Sequence, residues 1–132
     1  RADRAADAFE RAAALASGSD AEQTIRAAAT GLAQAGRLPR AIEILEAAIG
    51  RFPHSAPVRA DLAAIRAQSG NLDAAIDAMS AAVAINPYDA AAADFLARLH
   101  AAAGNPEQAQ RWSTRARTLV TTYQRAATLL PQ

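Results

Sequence analysis

The sequence predicts an all-α fold, a solenoid of antiparallel helix pairs, and three observations lead there. Gly36, Gly70 and Gly104 stand 34 residues apart, each between residues suited to end one helix and begin another. Ala accounts for 40 of the 132 residues, and Ala is the strongest helix former and a poor strand former. Apolar residues then recur at spacings of three and four, the period of one helix face.

Local signals place the elements in order. Ser19-x2-Glu22 reads as a capping box, Ser55, Asn71, Asp89 and Asn105 as helix N-caps, and Pro39 and Pro106 as residues of a first helical turn. Pro53 and Pro87 each lie 17 residues after a repeating glycine (Gly36 and Gly70) and stop a helix, because proline cannot continue the hydrogen-bond ladder. Helices are therefore expected at 3–16, 21–34, 39–51, 57–68, 73–85, 90–102 and 106–130. In the last of these, Ala109, Trp112, Ala116, Leu119, Tyr123, Ala126 and Leu130 form one apolar seam, and Thr121 stands where the earlier copies have proline. This seam reads as a terminal cap with Arg115, Arg117, Gln124 and Arg125 on its outer face, so that cutting after Thr118 exposes the third copy's flank. The same seam also suits a homodimer.

Around the glycines, alanines repeat as Ala41, Ala75, Ala109 and as Ala48, Ala82, Ala116. The series Ala41, Leu45, Ala48, Pro53 and Ala75, Met79, Ala82, Pro87 resembles the tetratricopeptide repeat family. The resemblance covers nearly all of 1–132, read as one repeat domain: copies at 22–55, 56–89 and 90–123, and an N-terminal half-copy, 1–19, containing Ala5-x3-Phe9-x2-Ala12. First helices depart from the family: its Trp, Leu, Gly and aromatic series is represented by Ile25, Ala28, Ala29, Leu32, then Arg59, Leu62, Ala63, Arg66, then Ala93, Leu96, Ala97, His100. Such a resemblance implies a right-handed solenoid whose first helices line a concave groove for a protein or peptide.

Carried onto this chain, that groove would contain Gln23, Arg26, Ala27 and Thr30, then Pro57, Ala60, Asp61, Ala64 and Gln68, then Ala91, Asp94, Phe95 and Arg98. Gln23, Arg26, Thr30, Asp61, Gln68, Asp94, Phe95 and Arg98 are its polar and aromatic members and the candidate partner-binding residues. Co-chaperones of the family grip acidic chaperone tails with Lys, Arg and Asn on these helices, whereas Asp61, Ala64, Ala91 and Asp94 occupy the corresponding wall here. A docked helix or extended segment fits this wall better.

Composition excludes several chemistries. Fourteen basic and 13 acidic residues are interspersed, giving no basic block for nucleic acid. All the basic residues are Arg, a bias that suggests a GC-rich bacterial genome. No Cys is present, so a disulfide framework and a thiolate nucleophile are excluded, while bacterial periplasm and cytoplasm stay open as compartments. No stretch is long and apolar enough for direct membrane insertion, and Arg1 opens without a signal-peptide pattern, which suggests a soluble piece of something longer. His54 and His100 have no metal-ligand spacing, and Asp73 and Asp77 at i, i+4 read as a solvated helix face. Trp112 reads as a core anchor.

No catalytic, metal or cofactor site is therefore expected. The functional expectation is a non-enzymatic protein-interaction scaffold, part of a larger bacterial protein such as an envelope or exopolysaccharide-export assembly factor. Two alternatives stay open: an accessory repeat domain of a multidomain enzyme, and a self-association module.

Overall fold

A computed structural model describes residues 2–131, so the expected outer bounds Arg1 and Gln132 lie outside it. Seven α-helices follow one another: α1 Ala2–Leu15, α2 Ala21–Gln34, α3 Leu38–Arg51, α4 Ala56–Gln68, α5 Leu72–Ile85, α6 Ala90–Ala102 and α7 Pro106–Leu129. A single 3-10 turn, Gly18–Asp20, separates α1 from α2, and there is no strand among the described residues. Each helix packs against its neighbours in sequence, and α2 also reaches α4, the arrangement of a tetratricopeptide-type solenoid.

The repeating glycines end α2, α4 and α6 in the left-handed region, with φ of 83°, 85° and 81° at Gly36, Gly70 and Gly104. Each completes the same pair of backbone bonds. Gly70 N–H donates to Ala67 at 3.0 Å and Asn71 N–H to Arg66 at 3.0 Å, satisfying carbonyls that the helix end leaves unpaired. A methyl group at Gly70 would meet nothing within 4 Å, so Gly70→Ala isolates the backbone conformation from packing. It should cost about 1 kcal/mol, read as a lowered urea midpoint with unchanged slope.

Helix starts follow the sequence with two exceptions. Ser55, Asn71 and Asp89 accept the N–H of Val58, Ala74 and Ala92 at 3.2, 3.2 and 3.1 Å. The Ser19–Glu22 capping box does not form: Asp20 precedes α2 with no side-chain cap, and Glu22 instead accepts a hydrogen bond from the Ser55 hydroxyl. Ser55 thereby caps α4 and ties it to α2, which explains a buried hydroxyl in an otherwise apolar layer. Asn105 makes no side-chain cap either; its amide lies 3.2 Å from His100 Nδ1, at the exposed end of α6.

Leu32, Leu45, Met79, Leu96 and Val58 are the largest fully buried side chains, interleaved with Ala29, Ala41, Ala63 and Ala75. Small residues bring the helix axes close and the few large ones fill the remaining space. Phe9 and Trp112 pack against the two ends of this core.

The terminal cap is half as long as the seam implied. At 24 residues α7 is about 36 Å long, against about 20 Å for the 13 residues of α6, so it overhangs its partner. Ala116 is buried and Trp112 and Leu119 half-buried, but Val120, Tyr123 and Leu130 are exposed. Alternation of helix direction puts the end of α1, residues 86–89 and the overhang at one edge of the stack. Among the described residues the exposed large hydrophobics, Leu15, Ile85 at the end of α5, Tyr88, Val120, Tyr123, Leu129 and Leu130, belong to that edge.

Candidate groove on the first helices

The expected groove residues lie on α2, α4 and α6, the first helix of each pair. Gln23, Arg26, Thr30 and Asp61 come together around a cleft of about 540 Å³ that also takes in Phe9 and Gly31. Asp94 and Arg98 line a different cleft, between α6 and α7. Gln68 is exposed near the end of α4 and lines neither. Phe95 is half-buried against the core, with the Arg98 guanidinium 5.5 Å from its ring centre.

Arg26 Nε donates to Asp61 Oδ2 at 2.7 Å and Nη2 to Oδ1 at 3.4 Å, linking α2 to α4. The hydrogen bond to Asp61 pushes the guanidinium pKa up further than partial burial lowers it, with attraction from Asp61 and Glu22 adding to the rise. Arg26 therefore stays cationic and its charge is spoken for. Arg98 pairs with Asp94 one turn away on α6, at 3.2 Å and with both side chains largely exposed. Neither arginine stands as a free cation, although the sequence presents them as isolated handles. The groove is instead a neutral wall, with Ala27 exposed on α2 and Ala91 exposed on α6.

Sequence reasoning missed the contact that shapes the cleft's end. The Phe9 ring lies over Gly31, where an added Cβ would be 2.4 Å from ring carbons. Ile65 and Leu99 stand 34 and 68 residues later at the same repeat position, so a glycine there was the available signal. No group of three or more His, Cys, Asp or Glu able to hold a metal occurs among the described residues, and none of their helices is long and apolar enough to cross a membrane.

A tetratricopeptide repeat profile matches residues 32–99 and, in an overlapping copy, 66–130. The chain belongs to the tetratricopeptide repeat family. Among solved structures, MamA residues 41–end from Desulfovibrio magneticus RS-1 superposes with a TM-score of 0.77 at 19% identity, over 92% of this chain and 67% of that one. The type III secretion translocator chaperone SycD of Yersinia enterocolitica gives 0.70 at 19% identity, over 79% and 72%. The second repeat domain of Spaghetti (RPAP3), bound to the HSP90 peptide SRMEEVD, gives 0.68 at 16% identity, over 74% and 91%. At these identities the likeness is one of fold. No curated protein matches the sequence.

Proposed function

We propose that the protein is a non-enzymatic interaction scaffold that holds a segment of a partner protein against the wall formed by α2, α4 and α6. The observation behind this reading is the cleft of about 540 Å³ bounded by Gln23, Arg26, Thr30 and Asp61, whose charges neutralise each other across two helices. Such a wall favours a neutral or apolar segment held by shape over an acidic tail held by ion pairs. A chaperone for secretion translocators and a peptide-bound repeat domain among the structural neighbours agree with a protein-binding role. The wider setting is a larger bacterial envelope-associated protein.

Photo-crosslinking in the source cell tests this. A benzophenone side chain at Thr30 should capture a discrete partner, and one at Asp77, exposed on α5 and outside the wall, should not. With that partner purified, Ala27→Trp, which places an indole in the cleft at an exposed position, should weaken binding about tenfold, equivalent to about 1.4 kcal/mol, with helicity unchanged. Unchanged affinity would place the site elsewhere.

A further inference from the structure

The two edges of the stack differ in what their turns carry. One edge holds the glycine turns, 35–37, 69–71 and 103–105, which have no large apolar side chain and whose one charged residue, Arg37, pairs with Asp3 at 3.1 Å. The other holds the turns after α1, α3 and α5, at 16–20, 52–55 and 86–89. The helices entering these turns end on Leu15, Arg51 and Ile85, all exposed, and Tyr88 projects from the third turn with 79% of its surface in water. Repeats added at either end of a solenoid extend it along its axis, so the exposure of turns at its side is a property of the edge.

A guanidinium reaches each of these three turns. Arg51 donates to the Ala16 carbonyl at 3.4 Å, Arg59 to that of Pro53 at 3.2 Å and Arg115 to that of Pro87 at 3.3 Å. None of the three has a carboxylate partner among the described residues. Of the acids beside the turns, Glu22 accepts from the Ser55 hydroxyl and Asp89 from the Ala92 N–H, which leaves Asp20 alone without a partner among the described residues. We propose that this edge docks on an anionic phospholipid bilayer, with Leu15, Ile85 and Tyr88 entering the headgroup layer and Arg51 and Arg115 meeting its phosphates. Apolar tips on separate turns suit a fluid surface, which needs no matching pockets, and the Tyr88 ring has the apolar body and polar end that such an interface favours. The guanidiniums exchange long contacts to carbonyls for charge-assisted bonds to phosphate. Docking is peripheral, since none of the described helices is long and apolar enough to cross a membrane. The wall of α2, α4 and α6 runs along the helices, whereas this surface is at their ends, so the two sites are separate.

The test uses the whole chain and vesicles of phosphatidylcholine, with or without an equal part of phosphatidylglycerol. The chain should sediment with the mixed vesicles, be released as salt is raised and ignore phosphatidylcholine alone. Leu15→Asp/Tyr88→Asp and Arg51→Gln/Arg115→Gln should each weaken retention at least about tenfold. Arg37→Gln/Arg111→Gln, which removes the same charge from the other end of the helices, and Ala27→Trp in the wall should leave it unchanged. Leu15, Arg51, Tyr88 and Arg115 are all exposed, so unchanged urea midpoints verify that the variants fold. Because the chain has no Cys, an environment-sensitive dye at His54→Cys should report transfer out of water on the mixed vesicles, and one at Gln68→Cys, near the opposite edge, should not. Equal retention on both kinds of vesicle, or on neither, overturns the proposal, as does an equal loss in Arg37→Gln/Arg111→Gln and Arg51→Gln/Arg115→Gln. So does sedimentation of the free chain as a dimer that Tyr88→Asp dissociates, or a photo-crosslinker at Tyr88 that joins the chain in the source cell to protein and not to lipid.

Discussion

A chain ending at Arg111 should lose about 3 to 5 kcal/mol of stability and with it the third helix pair, whereas one ending at Thr121 should unfold within about 0.5 kcal/mol of the full protein. The contrast follows from where α7 is covered. Removing residues 112–121 takes away Trp112, packed on the core, together with buried Ala116 and half-buried Leu119. An indole and a leucine discounted for partial exposure, plus the α6 face they cover, account for the larger figure. Without them Leu96 and Leu99 face water, and α6 has a neighbour on one side only. Residues 122–131 are all exposed, so their loss removes little burial. Urea midpoints and amide exchange in α6 of both truncations measure the difference. Equal midpoints for the two shortened chains would mean that α7 does not cap the stack.

The expectation that Tyr123 and Leu130 belong to the cap shows where sequence pattern stops. A spacing of three and four marks one face of a helix, and that face continues unbroken to Leu130. It does not say how far the partner helix reaches. That limit comes from α6 beginning at Ala90, set by the Asp89 cap, and so from the length of a different element. Helix positions were legible because glycine, proline and capping residues act through their own backbone. The three left-handed glycines could be read in this way from their period alone. Glu22 was misread for the opposite reason: its partner Ser55 is 33 residues away, while Ser19, close in sequence, offered a local alternative. The candidate groove divides similarly. Which helices line it was readable from the repeat, but the neutralisation of Arg26 by Asp61 joins two repeats and depends on how α2 and α4 pack.

Gly31→Ile should destabilise the protein by about 2 to 3 kcal/mol and loosen α1 selectively, although it places a better helix former inside α2 and matches Ile65 of the next copy. Propensity alone favours the change by a few tenths of a kcal/mol to about 1 kcal/mol. Packing opposes it more strongly. A Cβ 2.4 Å from the Phe9 ring cannot be accommodated, and the three further carbons of isoleucine leave the ring no room on that side. Phe9 must leave the core edge, weakening a helix otherwise held by buried Ala6 and by exposed ion pairs from Asp3 to Arg37 and Glu10 to Arg40. Exposed pairs of that kind contribute little, so the aromatic contact decides whether α1 docks. A double-mutant cycle with Phe9→Ala isolates the clash. Phe9→Ala alone should destabilise by about 2 kcal/mol, and the double variant should be more stable than the sum of the two single losses by at least about 1 kcal/mol, because the alanine gives isoleucine the space it needs. Amide exchange in α1 should rise in Gly31→Ile and fall back towards the Phe9→Ala level in the double variant. Simple additivity would mean that Phe9 does not occupy the place that glycine leaves.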